Sequence, residues 1–88
     1  MSAVEVIFVS EGDCPNCNRI RSVLNRVRHE YRHIEVSEVR PADVLGRTLA
    51  DEHQIGELPA LIVNGRLRMV GEMSEHHIRG EVQRARYR

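Results

Sequence analysis

Lysine and tryptophan are absent, and aromatic side chains make up only 3% of the 88 residues. All 13 basic residues are arginines, and 13 acidic residues balance them to a formal net charge of zero. A dedicated nucleic-acid binder normally carries a large basic excess, so the balance argues against that class. Long apolar runs are missing too. Val6 to Val9 is far too short for a secretory h-region, Met1 to Glu5 carries no basic n-region, and nothing approaches the ~20 residues of a membrane helix. The expectation is a cytoplasmic chain without a membrane partner. Two cysteines are too few for a secreted disulfide framework. In the cytoplasm a close pair is more often redox-active or metal-binding than structural. No internal repeat or low-complexity linker interrupts the chain, and its length supports one domain over residues 1–88. At 41% hydrophobic residues a core can form.

Val4, Val6, Ile7, Phe8 and Val9 form a β-branched apolar run, the pattern of a strand buried on both faces. Ser10 to Asp13 breaks it. Ile20, Val23, Leu24 and Val27 then fall on one helical face, opposite Asn18, Arg19, Arg21, Asn25 and Arg26. Pro15 suits the first turn, so this helix begins inside Cys14-Pro15-Asn16-Cys17. His33 to Val39 alternates as a second strand. Pro41 opens a second helix with Leu45, Leu49 and Ala42 inward; Gly46 weakens it slightly and Gly56 stops it. Ala60 to Val63 is a strand, Asn64-Gly65 a hairpin turn, and Arg66 to Val70 the partner strand. In that partner Leu67 and Met69 share one face. Ser74 caps a last helix that turns Ile78, Val82 and Ala85 inward. The order is β-α-β-α-β-β-α, with a right-handed parallel first crossover and then an antiparallel hairpin.

A Cys-x-x-Cys that follows a buried strand and opens a helix has a chemical logic. Unpaired N–H groups and the positive end of the helix dipole stabilise a thiolate at Cys14. That thiolate attacks a disulfide and forms a mixed disulfide. Cys17, one turn on and partly shielded, displaces the product.

With these residues on the page, the chain resembles the thioredoxin/glutaredoxin superfamily over nearly its whole length. Cys14-Pro15-Asn16-Cys17 is similar to the glutaredoxin form of the motif. Ile55-Gly56-Glu57-Leu58-Pro59-Ala60-Leu61 resembles the segment in which thioredoxins place a cis-proline facing the redox pair, and Gly71 matches the glycine that keeps the substrate groove open. The resemblance implies an α/β thioredoxin fold, a four-stranded mixed sheet flanked by three helices. It implies a cis bond before Pro59 and substrate backbone pairing at Leu58, with Pro15, Asn16, Pro59 and Gly71 around the bound chain. It implies a thiol–disulfide oxidoreductase with Cys14 and Cys17 catalytic, and no cofactor beyond their redox-active disulfide.

Departures refine the expected partners. Asp13 stands where thioredoxins usually carry tryptophan, and Phe8 where they carry a buried acid. Glu11 stands where glutaredoxins commonly place a lysine that holds glutathione, and Val70-Gly71-Glu72 keeps only part of their double-glycine segment. Glu11 and Asp13 should repel anionic glutathione and partly oppose the thiolate at Cys14. The expected partners are therefore protein disulfides and a thioredoxin-reductase-type flavoprotein, acting on a monomer; a glutathione-dependent glutaredoxin is the alternative.

Other classes make different demands. A zinc module would use Cys14, Cys17, His29 and His33. If one helix runs from the motif to His29, twelve residues separate Cys17 from His29 by roughly 18 Å. Zinc bonds are ~2 Å, so these four groups cannot meet and no metal site is expected. An iron–sulfur cluster would find only half its usual cysteines. A structural disulfide, or a non-catalytic interaction module, remains as a further reading. His53, His76 and His77 read as surface residues, Met69 and Met73 as core or groove lining. Arg79, Arg84, Arg86 and Arg88 read as a solvated helix face.

Overall fold

Apolar residues at period two and period 3.6 meet across a single sheet. The computed structural model describes residues 3–86. Its elements are β1 (Val4–Val9), α1 (Pro15–Glu30), β2 (Ile34–Val39), α2 (Val44–Glu52), β3 (Ala60–Val63), β4 (Arg66–Val70) and α3 (Glu75–Arg86). The strands lie in the order β2-β1-β3-β4. β1 pairs parallel with β2, while β1–β3 and β3–β4 are antiparallel. This is the expected thioredoxin fold, a four-stranded mixed sheet with three helices.

β1 alternates its side chains between two cores. Val4, Val6 and Phe8 join Leu61 and Val63 of β3 against Ile20, Val23, Leu24 and Val27 of α1 and Ile78 and Val82 of α3. All are at most 4% exposed. Each such side chain contributes about 1.5–3 kcal/mol by leaving water, so this layer carries most of the stability. Val9, Ala60 and Ile62 face the other way, under the partly buried Ile7, Val39, Leu49, Ile55, Leu58 and Leu67.

Two local expectations change. The second helix starts at Val44, not Pro41. Residues 40–43 instead close a turn: the Asp43 N–H donates to the Arg40 carbonyl at 2.9 Å, and the Arg40 N–H to Asp43 Oδ2 at 3.3 Å. Gly46, Leu49 and Ala50 take the inward positions, while Leu45 is 58% exposed and Ala42 is also outside. In β4, Leu67 and Met69 do not share a face. Leu61 pairs with Met69 and Ile62 with Leu67, so Arg68 is an extra residue between them. A bulge of this kind reverses the alternation. Met69 therefore packs on the α1/α3 core and Leu67 on the other.

The arginines of α3 lie at the surface, with Arg84 and Arg86 exposed as expected, and they also pair with neighbouring groups. Arg79 pairs with Glu30 of α1 and with Glu75, and Arg26 of α1 reaches Glu75 at 2.7 Å. Arg84 pairs with Glu81, and the Arg86 guanidinium lies 4.8 Å from the Tyr31 ring centroid. The Arg79–Glu30 and Arg26–Glu75 pairs join α3 to α1, whereas Arg84–Glu81 lies within α3; Arg88 lies outside the described residues. Ser74 caps α3 as expected, its Oγ accepting the His77 N–H at 3.1 Å. Among the described residues no helix is long and apolar enough to cross a membrane.

Candidate active site

The site forms where β1 ends and α1 begins. Cys14 occupies the cap position in an extended conformation, with Pro15 directly after it in the first turn. Its Sγ accepts the Cys17 N–H at 3.0 Å, the bond a serine or aspartate oxygen makes at an ordinary helix start. The first turn holds no acidic residue that would offset the positive end of the helix. Cys14 and Cys17 are joined by a disulfide, with Cα atoms 5.0 Å apart. Cys14 is partly exposed, whereas Cys17 is 0% exposed and packs in the α1 core.

Hydrogen bonds tie three distant segments together beside the motif. Asn16 Nδ2 donates to the Gly71 carbonyl at 3.4 Å, and the Gly71 N–H donates to the Pro59 carbonyl at 2.6 Å. The Leu58–Pro59 peptide is cis. Pro59 is buried, and Leu58 packs partly into the second core. Gly71 has φ +73°, a left-handed conformation that glycine adopts without strain. Arg19 donates to Asn16 Oδ1 at 2.8 Å and to the Met73 carbonyl at 2.6 Å, fixing the motif helix against the approach to α3.

The loop before Cys14 is held by a network that no local pattern announces. Ser10 is fully buried; its Oγ donates to Glu38 Oε2 at 2.6 Å and accepts the Gly12 N–H at 3.2 Å. Arg21 donates to both Glu38 oxygens at 2.7 Å and to the Gly12 carbonyl at 3.0 Å. The Arg21 bond, aided by Ser10, holds the Glu38 carboxyl below its ordinary value, and Glu38 in turn raises Arg21. A carboxyl depressed by folding stabilises the fold above its unfolded value and loses that contribution as pH falls through the folded one. Stability should therefore drop as pH falls below about 4.5, the ordinary value for Glu38. Glu38→Gln should make this acid decline in denaturant-unfolding free energy shallower; an unchanged slope contradicts the network.

Glu11 is exposed, and one of its carboxylate oxygens lies with the two sulfurs in a group spanning at most 4.8 Å. Asp13 points elsewhere, accepting from Asn18 Nδ2 at 2.9 Å. The histidines of the hypothetical finger do not approach. His29 sits in the last turn of α1 with Nδ1 at 2.7 Å from the Asn25 carbonyl, and His33 lies beyond that helix end. The contact of Glu38 with Ser10 depends on packing and left no signal in the sequence. The closeness of Glu11 to the motif was visible as a three-residue spacing.

A mixed four-stranded sheet whose first helix opens on a cysteine pair defines a redox-type domain of thioredoxin fold. Residues 2–83 match the family model described as Thioredoxin domain, and the chain belongs to that family. Solved structures agree in fold at low identity. Chloroplastic thioredoxin z superposes with a TM-score of 0.78 at 16% identity, over 99% of this chain and 81% of that one. Mitochondrial thioredoxin 3 from Saccharomyces cerevisiae, in its oxidised form, gives 0.76 at 13%, over 96% and 80%. Thioredoxin O2 from Arabidopsis thaliana, also oxidised, gives 0.75 at 15%, over 94% and 75%. No curated protein sequence matches the chain.

Proposed function

We propose that this domain is a thiol–disulfide oxidoreductase that reduces protein disulfides. The observation that carries the reading is the asymmetry of the pair: one sulfur partly exposed at a helix N-terminus, the other buried one turn on. In the reduced protein the Cys14 thiolate attacks one sulfur of a client disulfide, and the other leaves as a thiolate. The Cys17 thiol then loses its proton and attacks Cys14 Sγ. The client leaves reduced, and the Cys14–Cys17 disulfide holds the two electrons' worth of oxidation. Pro15, Asn16, Leu58, Pro59 and Gly71 are proposed to seat the client backbone beside Cys14. No further cofactor is invoked. The domain acts as a cytoplasmic monomer that meets neither nucleic acid nor membrane.

The electron donor is proposed to be a thioredoxin-reductase-type flavoprotein. Glutathione carries net negative charge, and Glu11 lies against the sulfurs it would have to reach. With NADPH and such a reductase, the Cys14–Cys17 disulfide should open rapidly and insulin reduction should follow NADPH oxidation. Glutathione alone at millimolar concentration should reduce the pair far more slowly. Rapid reduction by glutathione with no response to the flavoprotein reverses this assignment and makes the domain a glutaredoxin.

A further inference from the structure

Among the described residues one group of three metal-donor side chains comes together, and it is Glu11, Cys14 and Cys17. Each offers one donor atom, and the three atoms lie within 4.8 Å of one another. A tetrahedral zinc ion with bonds of about 2.0–2.3 Å holds its ligands roughly 3.5–3.8 Å apart, so small side-chain rotations close the set once the sulfurs are free. Nothing else claims the carboxylate: Glu11 has no hydrogen bond or ion pair among the described residues. The helix start already supplies an N–H to Cys14 Sγ, which favours the thiolate that a metal needs.

We propose that the reduced domain binds one thiophilic divalent cation, zinc being the probe, through both thiolates and the Glu11 carboxylate. The oxidised domain does not bind it, because the disulfide consumes the two sulfur donors. Binding releases the Cys17 thiol proton to solvent, together with any proton Cys14 still holds, and leaves the metal as the divalent ion. Two thiolates and a carboxylate compensate the cation with one negative charge to spare, and the fourth position stays open. This site differs from the finger spacing excluded above, since it uses no histidine and needs no second helix start. Two consequences follow. The cation competes with clients for Cys14. By linkage it also stabilises the dithiol, which shifts the pair's reduction potential upward.

The test titrates zinc into reduced, chelator-stripped protein under anaerobic conditions, against a chromophoric competitor. One equivalent should bind to the dithiol form and none to the disulfide form. Glu11→Gln should weaken binding by at least about tenfold, the lower end of the loss seen when even an outer-shell partner is removed. Asp13→Asn should leave the affinity within a few-fold of wild type. Helix content by circular dichroism should match wild type in both variants. Affinity unchanged in Glu11→Gln, or no stoichiometric binding to the dithiol form, overturns the proposal. Insulin reduction measured with chelator on the same preparations separates this site from the redox function: wild-type protein that reduces insulin but binds no zinc in its dithiol form refutes only the metal site.

Discussion

Cys14→Ser is expected to lower dithiothreitol-driven insulin reduction to the rate of dithiothreitol alone. Of the two sulfurs only Cys14 is partly exposed; Cys17 is 0% exposed in the α1 core and cannot meet a client first. A serine hydroxyl stays protonated where a thiol at a helix N-terminus ionises, so the nucleophile is lost. The fold should survive, which keeps the result interpretable. Serine is among the best cap residues, and its oxygen can accept the Cys17 N–H that Cys14 Sγ accepts at 3.0 Å. Wild-type activity in the variant contradicts a nucleophilic Cys14.

Gly46→Ala is expected to destabilise the domain by about 1–3 kcal/mol, the usual cost of forcing atoms into a packed site. Helix propensity alone predicts the opposite sign, a gain of about 1 kcal/mol from replacing glycine in a helix. The close approach decides. A Cβ on Gly46 would lie 1.9 Å from the Arg40 carbonyl oxygen and 2.5 Å from its carbon. Those are backbone atoms of the Arg40–Asp43 turn, so no side chain can swing away to make room. The turn would have to move, and the Arg40 side chain, which lies over Gly12 next to the motif, would move with it. Urea unfolding reads the change directly; equal or increased stability contradicts the close packing.

The contrast at Gly46 shows what was legible in the sequence. A continuous β-branched run placed β1, and the 3.6-residue spacing of the Ile20 to Val27 face placed α1. The cysteine pair was legible for a local reason as well: Pro15 marks a first turn, so the motif had to sit at a helix start. The cis bond before Pro59 came through family resemblance and not through composition, since most X–Pro bonds in folded proteins are trans. What stayed hidden depends on tertiary registration. The bulge at Arg68 breaks the period-two rule that had put Leu67 and Met69 on one face. The turn at Asp43 delays α2, and Leu45 in the first turn of that helix is exposed. The Ser10–Glu38 bond joins residues 28 apart through the parallel pairing of β1 and β2. The α3 arginines are at the surface as their pattern implied, but their partners Glu30, Glu75 and Glu81 depend on how the helices pack.

The central claim is that Cys14 attacks and Cys17 resolves. Its most direct test is an intact-mass measurement of Cys17→Ser, reduced and then mixed with excess disulfide-bonded insulin. With Cys14 as its single cysteine, the variant should accumulate a covalent one-to-one adduct that dithiothreitol releases, while the wild-type protein accumulates none. Absence of an adduct under substrate excess, or equal accumulation in the wild-type protein, contradicts the assignment of attack and resolution to these two residues.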